Sequence, residues 1–84
     1  MNYKYINIPR DLVYDKNIPA TAKILYGQIK ILSYKTGKCS ATNSFLASMN
    51  DCSIRTITEL IRILRVNNYI RVENYTKREI SILE

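Results

Sequence analysis

A mainly helical α+β fold is predicted by three patterns in this chain of 84 residues. Apolar residues recur at spacings of three and four after Pro19, as expected of an amphipathic helix. The same spacing returns between Ser53 and about Val66, now with charged residues on the opposite side. After Asn68 the period changes to two, which is typical of a β-hairpin. The length suits a single core, so residues 1–84 are assigned to one domain.

Composition favours a polyanionic partner. Thirteen Lys and Arg stand against seven Asp and Glu, giving a net charge of +6. Nucleic acid ranks first among such partners, an acidic protein second and an anionic membrane third. Cys39 and Cys52 are expected to be reduced thiols, at least one in the core, because the chain has no histidine and no zinc-ligand spacing. We therefore expect neither a metal nor a cofactor.

The N-terminal third is predicted to hold an extended arm and a long helix. Residues 3–8 alternate imperfectly, which favours an arm or an edge strand, and residues 10–14 suit a single helical turn before a turn at 15–17. Pro19 suits the first position of a helix that ends by Tyr34 or Lys35, with Gly37 reversing the chain. Its predicted core positions are Ala22, Leu25, Ile29 and Leu32, with Ile24, Tyr26 and Ile31 widening the apolar stripe.

The middle of the chain predicts a helix, a tight turn and a second helix. Residues 38–41 form a strand or a linker. Thr42 or Asn43 caps a short helix over 44–49 that directs Phe45 and Leu46 inward. Residues 50–52 make the turn, and Ser53 caps the next helix.

This third helix carries the main functional prediction. At about 100° per residue, one sector is apolar and the opposite one is polar. The apolar sector contains Ile57, Leu60, Ile61 and Leu64, and the polar sector contains Arg55, Thr58, Glu59 and Arg62. Such a helix, with arginine and hydroxyl groups in front and an apolar back, fits a DNA major groove.

The C-terminal residues predict a wing. Residues 69–73 and 78–82 alternate as two strands joined by a loop at 74–77, with Ile70 and Val72 facing Ile80 and Ile82. Asn67 and Asn68 can adopt the left-handed conformation that ends a helix. The order of helix, helix-turn-helix and hairpin is that of a winged helix-turn-helix.

The sequence also resembles a known family. The relevant residues are Ile18-Pro-Ala-Thr-Ala-Lys-Ile-Leu-Tyr26, Ala41-Thr-Asn43, Ser53-Ile-Arg-Thr-Ile57, Tyr69-Ile-Arg-Val-Glu73 and Arg78-Glu-Ile80. Together they resemble the N-terminal winged helix-turn-helix domain of replication initiators from phages and plasmids of low-GC Gram-positive bacteria. The resemblance implies a third helix in the major groove, a hairpin loop on the adjacent backbone, and a homodimer or higher assembly on repeated sites. Asn68 stands where such domains often carry glycine, and asparagine tolerates the same backbone.

Candidate DNA-binding residues follow from these elements. Arg55 is expected to read a guanine edge or hold a phosphate, and Arg62 to meet phosphate. Glu59 is expected to pair with Arg55 or Arg62, or to accept a hydrogen bond from a cytosine amine. The full set is Thr42, Asn43, Ser44, Ser53, Arg55, Thr56, Thr58, Glu59, Arg62, Lys77 and Arg78. For residues 42–44 capping is an equal alternative.

The tyrosines favour packing over stacking on single strands. Tyr26, Tyr34 and Tyr69 are expected to complete the core with their hydroxyls at its edge. Tyr3, Tyr5 and Tyr75 lie on the arm and the wing, where a stacking or dimer role is the alternative.

An enzyme is not expected. The sequence has no histidine, no glycine-rich phosphate loop and no supported pair of carboxylates. The charge and the polar face of the third helix predict a protein that binds specific double-stranded DNA, and the lack of an apolar N-terminal signal segment predicts a cytoplasmic location. The resemblance implies the origin-binding domain of a replication initiator, with replication proteins as partners of any longer chain. The alternatives are a small phage or plasmid transcription regulator, or a protein-interaction module such as an inhibitor that reuses the scaffold.

Overall fold

The computed structural model describes residues 7–74 and 77–83 of the chain. A single helical turn and three longer helices precede two antiparallel strands in this part of the molecule, as predicted. Their bounds are α1 Arg10–Val13, α2 Ala20–Leu32, α3 Asn43–Asn50, α4 Ile54–Val66, β1 Ile70–Glu73 and β2 Glu79–Ile82. None of these helices is long and apolar enough to cross a bilayer.

The N-terminal segment is tied to the rest of the domain by two side chains. The single helical turn α1 is confirmed, and the predicted arm over 3–8 falls mostly outside the described residues. The Tyr69 hydroxyl donates a hydrogen bond to Asp15 Oδ2 at 2.7 Å, and Lys23 Nζ donates to the Val13 carbonyl at 2.7 Å. The Tyr69 bond raises the pKa of Tyr69 to about 12 and lowers that of Asp15.

Helix α2 supplies one wall of the core. Pro19 caps α2 instead of occupying its first position, and the helix ends at Leu32, before the predicted end. Gly37 has a φ of 81° and reverses the chain as predicted. The buried face of α2 consists of Ala22, Leu25, Tyr26, Gly27 and Ile29.

Three apolar residues in and after α2 were wrongly predicted to face the core. Ile24 is 43% exposed, Leu32 37% and Tyr34 66%. Helix α2 packs against α4 and β2, which together cover one side of it. The remaining apolar side chains therefore lie outside the contact, since the stripe is broader than the surface available to cover it.

Side-chain caps determine where the two central helices, α3 and α4, begin. Thr42 Oγ1 accepts from Phe45 N at 3.0 Å at the start of α3, and Ser53 Oγ accepts from Thr56 N at 3.1 Å at the start of α4. Between the helices Asp51 adopts a left-handed conformation with a φ of 51°. Leu46 is buried, whereas Phe45, predicted to point inward, is 50% exposed because the inward sector of α3 is filled by Leu46 and Ala47.

The hairpin closes the core from the C-terminal side. Ile70 pairs with Ile82 and Val72 with Ile80, as predicted. Asn68 has a φ of 65° and turns the chain from α4 into β1. Cys39 is fully buried and bonds to Ile80 through both backbone groups, so a one-residue bridge extends the sheet beside β2. Residues 38–41, for which a strand and a linker were the alternatives, are therefore a linker that contributes one β-bridge.

Candidate nucleic-acid interface

Helix α4 presents one polar face to solvent and one apolar face to the core. Its four predicted core residues, Ile57, Leu60, Ile61 and Leu64, are all buried. The exposed face of α4, by which we mean Arg55, Thr58, Glu59 and Arg62, is exposed at every position. The amphipathic orientation predicted for this helix is confirmed, and the roles of the individual side chains stay predictions.

Arg55 lies in the first turn of α4 and is exposed. Within the described residues no hydrogen bond or ion pair engages it. It follows Ser53, whose hydroxyl caps the helix and lies 3.0 Å from Thr56 Oγ1. Thr56 itself lines a small cavity of about 140 Å³ together with Ile24 and Leu60. Thr56 therefore lies on the flank of α4 that faces α2, away from Arg55.

Glu59 and Arg62 form a two-point ion pair on the same face. Arg62 Nε lies 3.1 Å from both carboxylate oxygens of Glu59, and Arg62 Nη2 lies 2.5 Å from Oε1. The hydrogen bond lowers the pKa of Glu59 and raises that of Arg62. Of the two arginine partners predicted for Glu59, the structure selects Arg62.

Arg78, one of the two wing cations in the predicted DNA-binding set, is engaged with α3. Its guanidinium donates to Asn43 Oδ1 and to the Ala41 carbonyl, and Asn43 Nδ2 donates in turn to Thr58 Oγ1 at 3.1 Å. Thr58 Oγ1 also donates to the Ile54 carbonyl at 3.0 Å. We call Arg78, Ala41, Asn43 and Thr58 the Arg78 network. It joins the wing to α3 and α4.

The Arg78 side chain is partly buried in this network. Burial lowers the pKa of Arg78 from its ordinary value. Arginine nevertheless stays charged, because its ordinary pKa lies far above neutral pH. Sequence spacing could not reveal this contact, since Arg78 and Asn43 are separated by 35 residues.

The other predicted residues lie along the edge between α3 and the wing. Thr42 caps α3, and Ser44 and Lys77 are exposed. An open groove of about 430 Å³ runs from Ser40 and Thr42 to Lys77. The start of α3 and Lys77 of the wing thus lie on the two sides of one groove.

A second groove, of about 400 Å³, separates the exposed face of α4 from the wing. Three guanidinium groups line it, those of Arg62, Arg65 and Arg78. Arg65 was absent from the predicted set. It lies three residues after Arg62 and seven after Thr58, and this helical spacing was the available signal.

The fold and this surface together define a winged helix-turn-helix. A family model described as a helix-turn-helix domain matches residues 16–70, which is more than half of the chain and spans α2, α3 and α4. The chain therefore belongs to the helix-turn-helix domain family, whose members are typically not enzymes. Neither the curated proteins nor the solved structures provide a match.

Proposed function

We propose that this chain binds specific sequences of double-stranded DNA, with α4 in the major groove. One observation carries the proposal: the arginine-bearing face of α4 is exposed while its opposite face is anchored in the core. Helix-turn-helix proteins place the corresponding helix in the groove and reach base edges from its N-terminal residues. Arg55 occupies that part of α4 and is free to form a two-point contact with guanine.

The remaining contacts are proposed to hold the backbone. Phosphates supply most of the affinity of such complexes, and base contacts supply the selectivity. Arg62 and Arg65 would reach one strand from the second half of α4, and Lys77 would approach from the wing. Thr42, Ser44 and Ser53 stand at the starts of α3 and α4, where backbone N–H groups favour anions.

We further propose that residues 1–84 act as one unit and that two or more copies occupy repeated sites. A single module of this kind buries only about 600–1,000 Å² of protein surface on DNA. Repetition would add the affinity and selectivity that one copy lacks. By its resemblance to phage and plasmid initiators, we assign the site to a replication origin. Promoter repeats are the corresponding sites in the alternative proposal of a transcription regulator.

The proposal is tested by selecting bound fragments from the DNA of the source replicon. Fragments that map to an origin repeat support the initiator, and fragments that map to a promoter support the regulator. Failure to bind any duplex at low salt would contradict DNA binding and favour the protein-interaction module.

Arg55→Ala then tests the role of α4. We expect a loss of about 5- to 150-fold on the selected site and a smaller loss on random duplex, because a two-point guanine contact contributes about 1–3 kcal/mol of discrimination. Lys16→Ala removes a charge from the exposed turn before α2 and is the matched control. Equal losses of Arg55→Ala on both duplexes would show that Arg55 contacts phosphate instead.

A further inference from the structure

One acidic side chain stands among the cations of the proposed DNA-binding surface. In α4, which the structure describes in full, Glu59 is the only acid beside Arg55, Arg62 and Arg65. An acid at this position repels phosphate, so plain backbone binding gains nothing from it. Its partner is Arg62, and the two-point geometry occupies both Nε and Nη2 of that guanidinium.

The pair is open to exchange. The Arg62 side chain is 53% exposed and that of Glu59 is 55% exposed, so water and ions reach both groups. Exposed ion pairs of this kind are weak, and a phosphate can replace the carboxylate on Arg62. After this exchange the Glu59 carboxylate would face the DNA and would no longer accept hydrogen bonds from Arg62.

We propose that Glu59 is a specificity-determining residue that acts by holding Arg62 away from non-specific phosphate contacts. This inference rests on the proposed function. Where guanine or thymine lies opposite Glu59, the released carboxylate would face the acceptors guanine O6 or thymine O4, which offer it no hydrogen. A base with an exocyclic amine, such as cytosine, offers the donor that Glu59 loses. Arg62 would thus transfer to phosphate at low cost only where the base opposite Glu59 presents such an amine.

The test measures binding to random duplex over a range of salt concentrations. Glu59→Gln keeps the shape of the side chain and removes its charge, and Asp11→Asn makes the same charge change on α1. If Arg62 becomes one additional phosphate contact, the slope of log K against log salt becomes steeper by about 0.9 in Glu59→Gln. At 50 mM salt we expect the affinity for random duplex to rise about three- to tenfold. The preference for a selected site over random duplex should fall.

A double-mutant cycle shows whether Glu59 acts through its partner. In an Arg62→Gln background, Glu59→Gln should raise the random-duplex affinity much less than it does in the wild-type chain. An undiminished rise there would overturn the inference, because Glu59 would then be only a repulsive charge. The inference would also be overturned if Glu59→Gln changed the salt slope and the random-duplex affinity no more than Asp11→Asn does.

Failure of this inference is distinguishable from failure of the proposed function. If the wild-type chain binds no duplex at low salt, DNA binding itself is wrong. If the wild type binds and Glu59→Gln leaves both the slope and the site preference unchanged, DNA binding stands and the role of Glu59 is rejected.

Discussion

Arg78 offers the sharpest test of how the wing is held. Although its sequence position predicts a DNA contact, its guanidinium is engaged with α3 through Asn43 Oδ1 and the Ala41 carbonyl. We therefore expect Arg78→Met to destabilise the domain and to leave the number of phosphate contacts unchanged. Lys77→Met, one residue earlier on an exposed side chain, should do the reverse.

The magnitude follows from the two hydrogen bonds that are lost. Hydrogen bonds to a charged group contribute about 1.5–3 kcal/mol each. The site is only partly buried, so water replaces part of both bonds, and the freed side chain regains rotamer entropy of up to about 2 kcal/mol. A net loss of about 1–2 kcal/mol remains. For a domain of this size this corresponds to about 4–16 °C in the thermal midpoint.

Two measurements on each variant decide the matter. Thermal unfolding is followed by circular dichroism, and the salt dependence of binding is measured on random duplex. We expect Arg78→Met to lower the midpoint and keep the slope, and Lys77→Met to keep the midpoint and reduce the slope by about 0.9. Arg78→Lys retains the charge without the two-point geometry, so it too should lower the midpoint. An unchanged midpoint with a reduced slope in Arg78→Met would refute the structural role and make Arg78 a phosphate contact.

Two further predictions concern stability. Leu64→Ala should reduce the free energy of unfolding by about 2–5 kcal/mol, because Leu64 is fully buried behind the exposed face of α4; Val66→Ala, at a site 56% exposed, should change it by less than about 0.5 kcal/mol in denaturant unfolding. The folded-state pKa of Tyr69 is raised from 10.0 to about 12 by its bond to Asp15, so the stability that this bond contributes is present below pH 10 and is lost as the pH rises toward 12. Between pH 8 and pH 11, the thermal midpoint of Tyr69→Phe should therefore fall less than that of the wild type. Tyr34→Phe, which alters an exposed ring, is the control. If the midpoints of the two variants fell equally over this pH range, the result would argue against the Tyr69–Asp15 bond.

Local chemistry made much of the fold predictable. The strict apolar period of α4 placed its four buried residues correctly, because a helix with one polar face has one stable orientation on a core. The caps at Thr42 and Ser53 act within three residues of themselves, so the sequence predicted Ser53 outright and narrowed the cap of α3 to Thr42 or Asn43. The pairing of Val72 with Ile80 followed from the alternation of the two strands.

Features that depend on neighbours distant in sequence were not predictable. Ile24, Tyr34 and Phe45 are apolar and lie on or next to helices, yet nothing in the local pattern shows how far the neighbouring elements extend over them. Arg78 could be placed on the wing, but its contact with Asn43 depends on how closely the wing approaches α3. The candidate site was thus predictable as a helix face and not as a set of available side chains.

The affinity of one copy for DNA depends on how many of its cations are free to contact phosphate. Among the cations near the proposed interface, Arg62 is paired with Glu59 and Arg78 is engaged with α3. Within the described residues Arg55, Arg65 and Lys77 have no ion-pair partner. Because Arg55 is assigned to a base edge, Arg65 and Lys77 remain as phosphate contacts, and two such contacts correspond to a salt slope of about −1.8, which gives weak binding at physiological salt. The net charge of +6 therefore overstates the number of cations available at the proposed interface, and the few free side chains there favour the proposed arrangement of two or more copies on repeated sites.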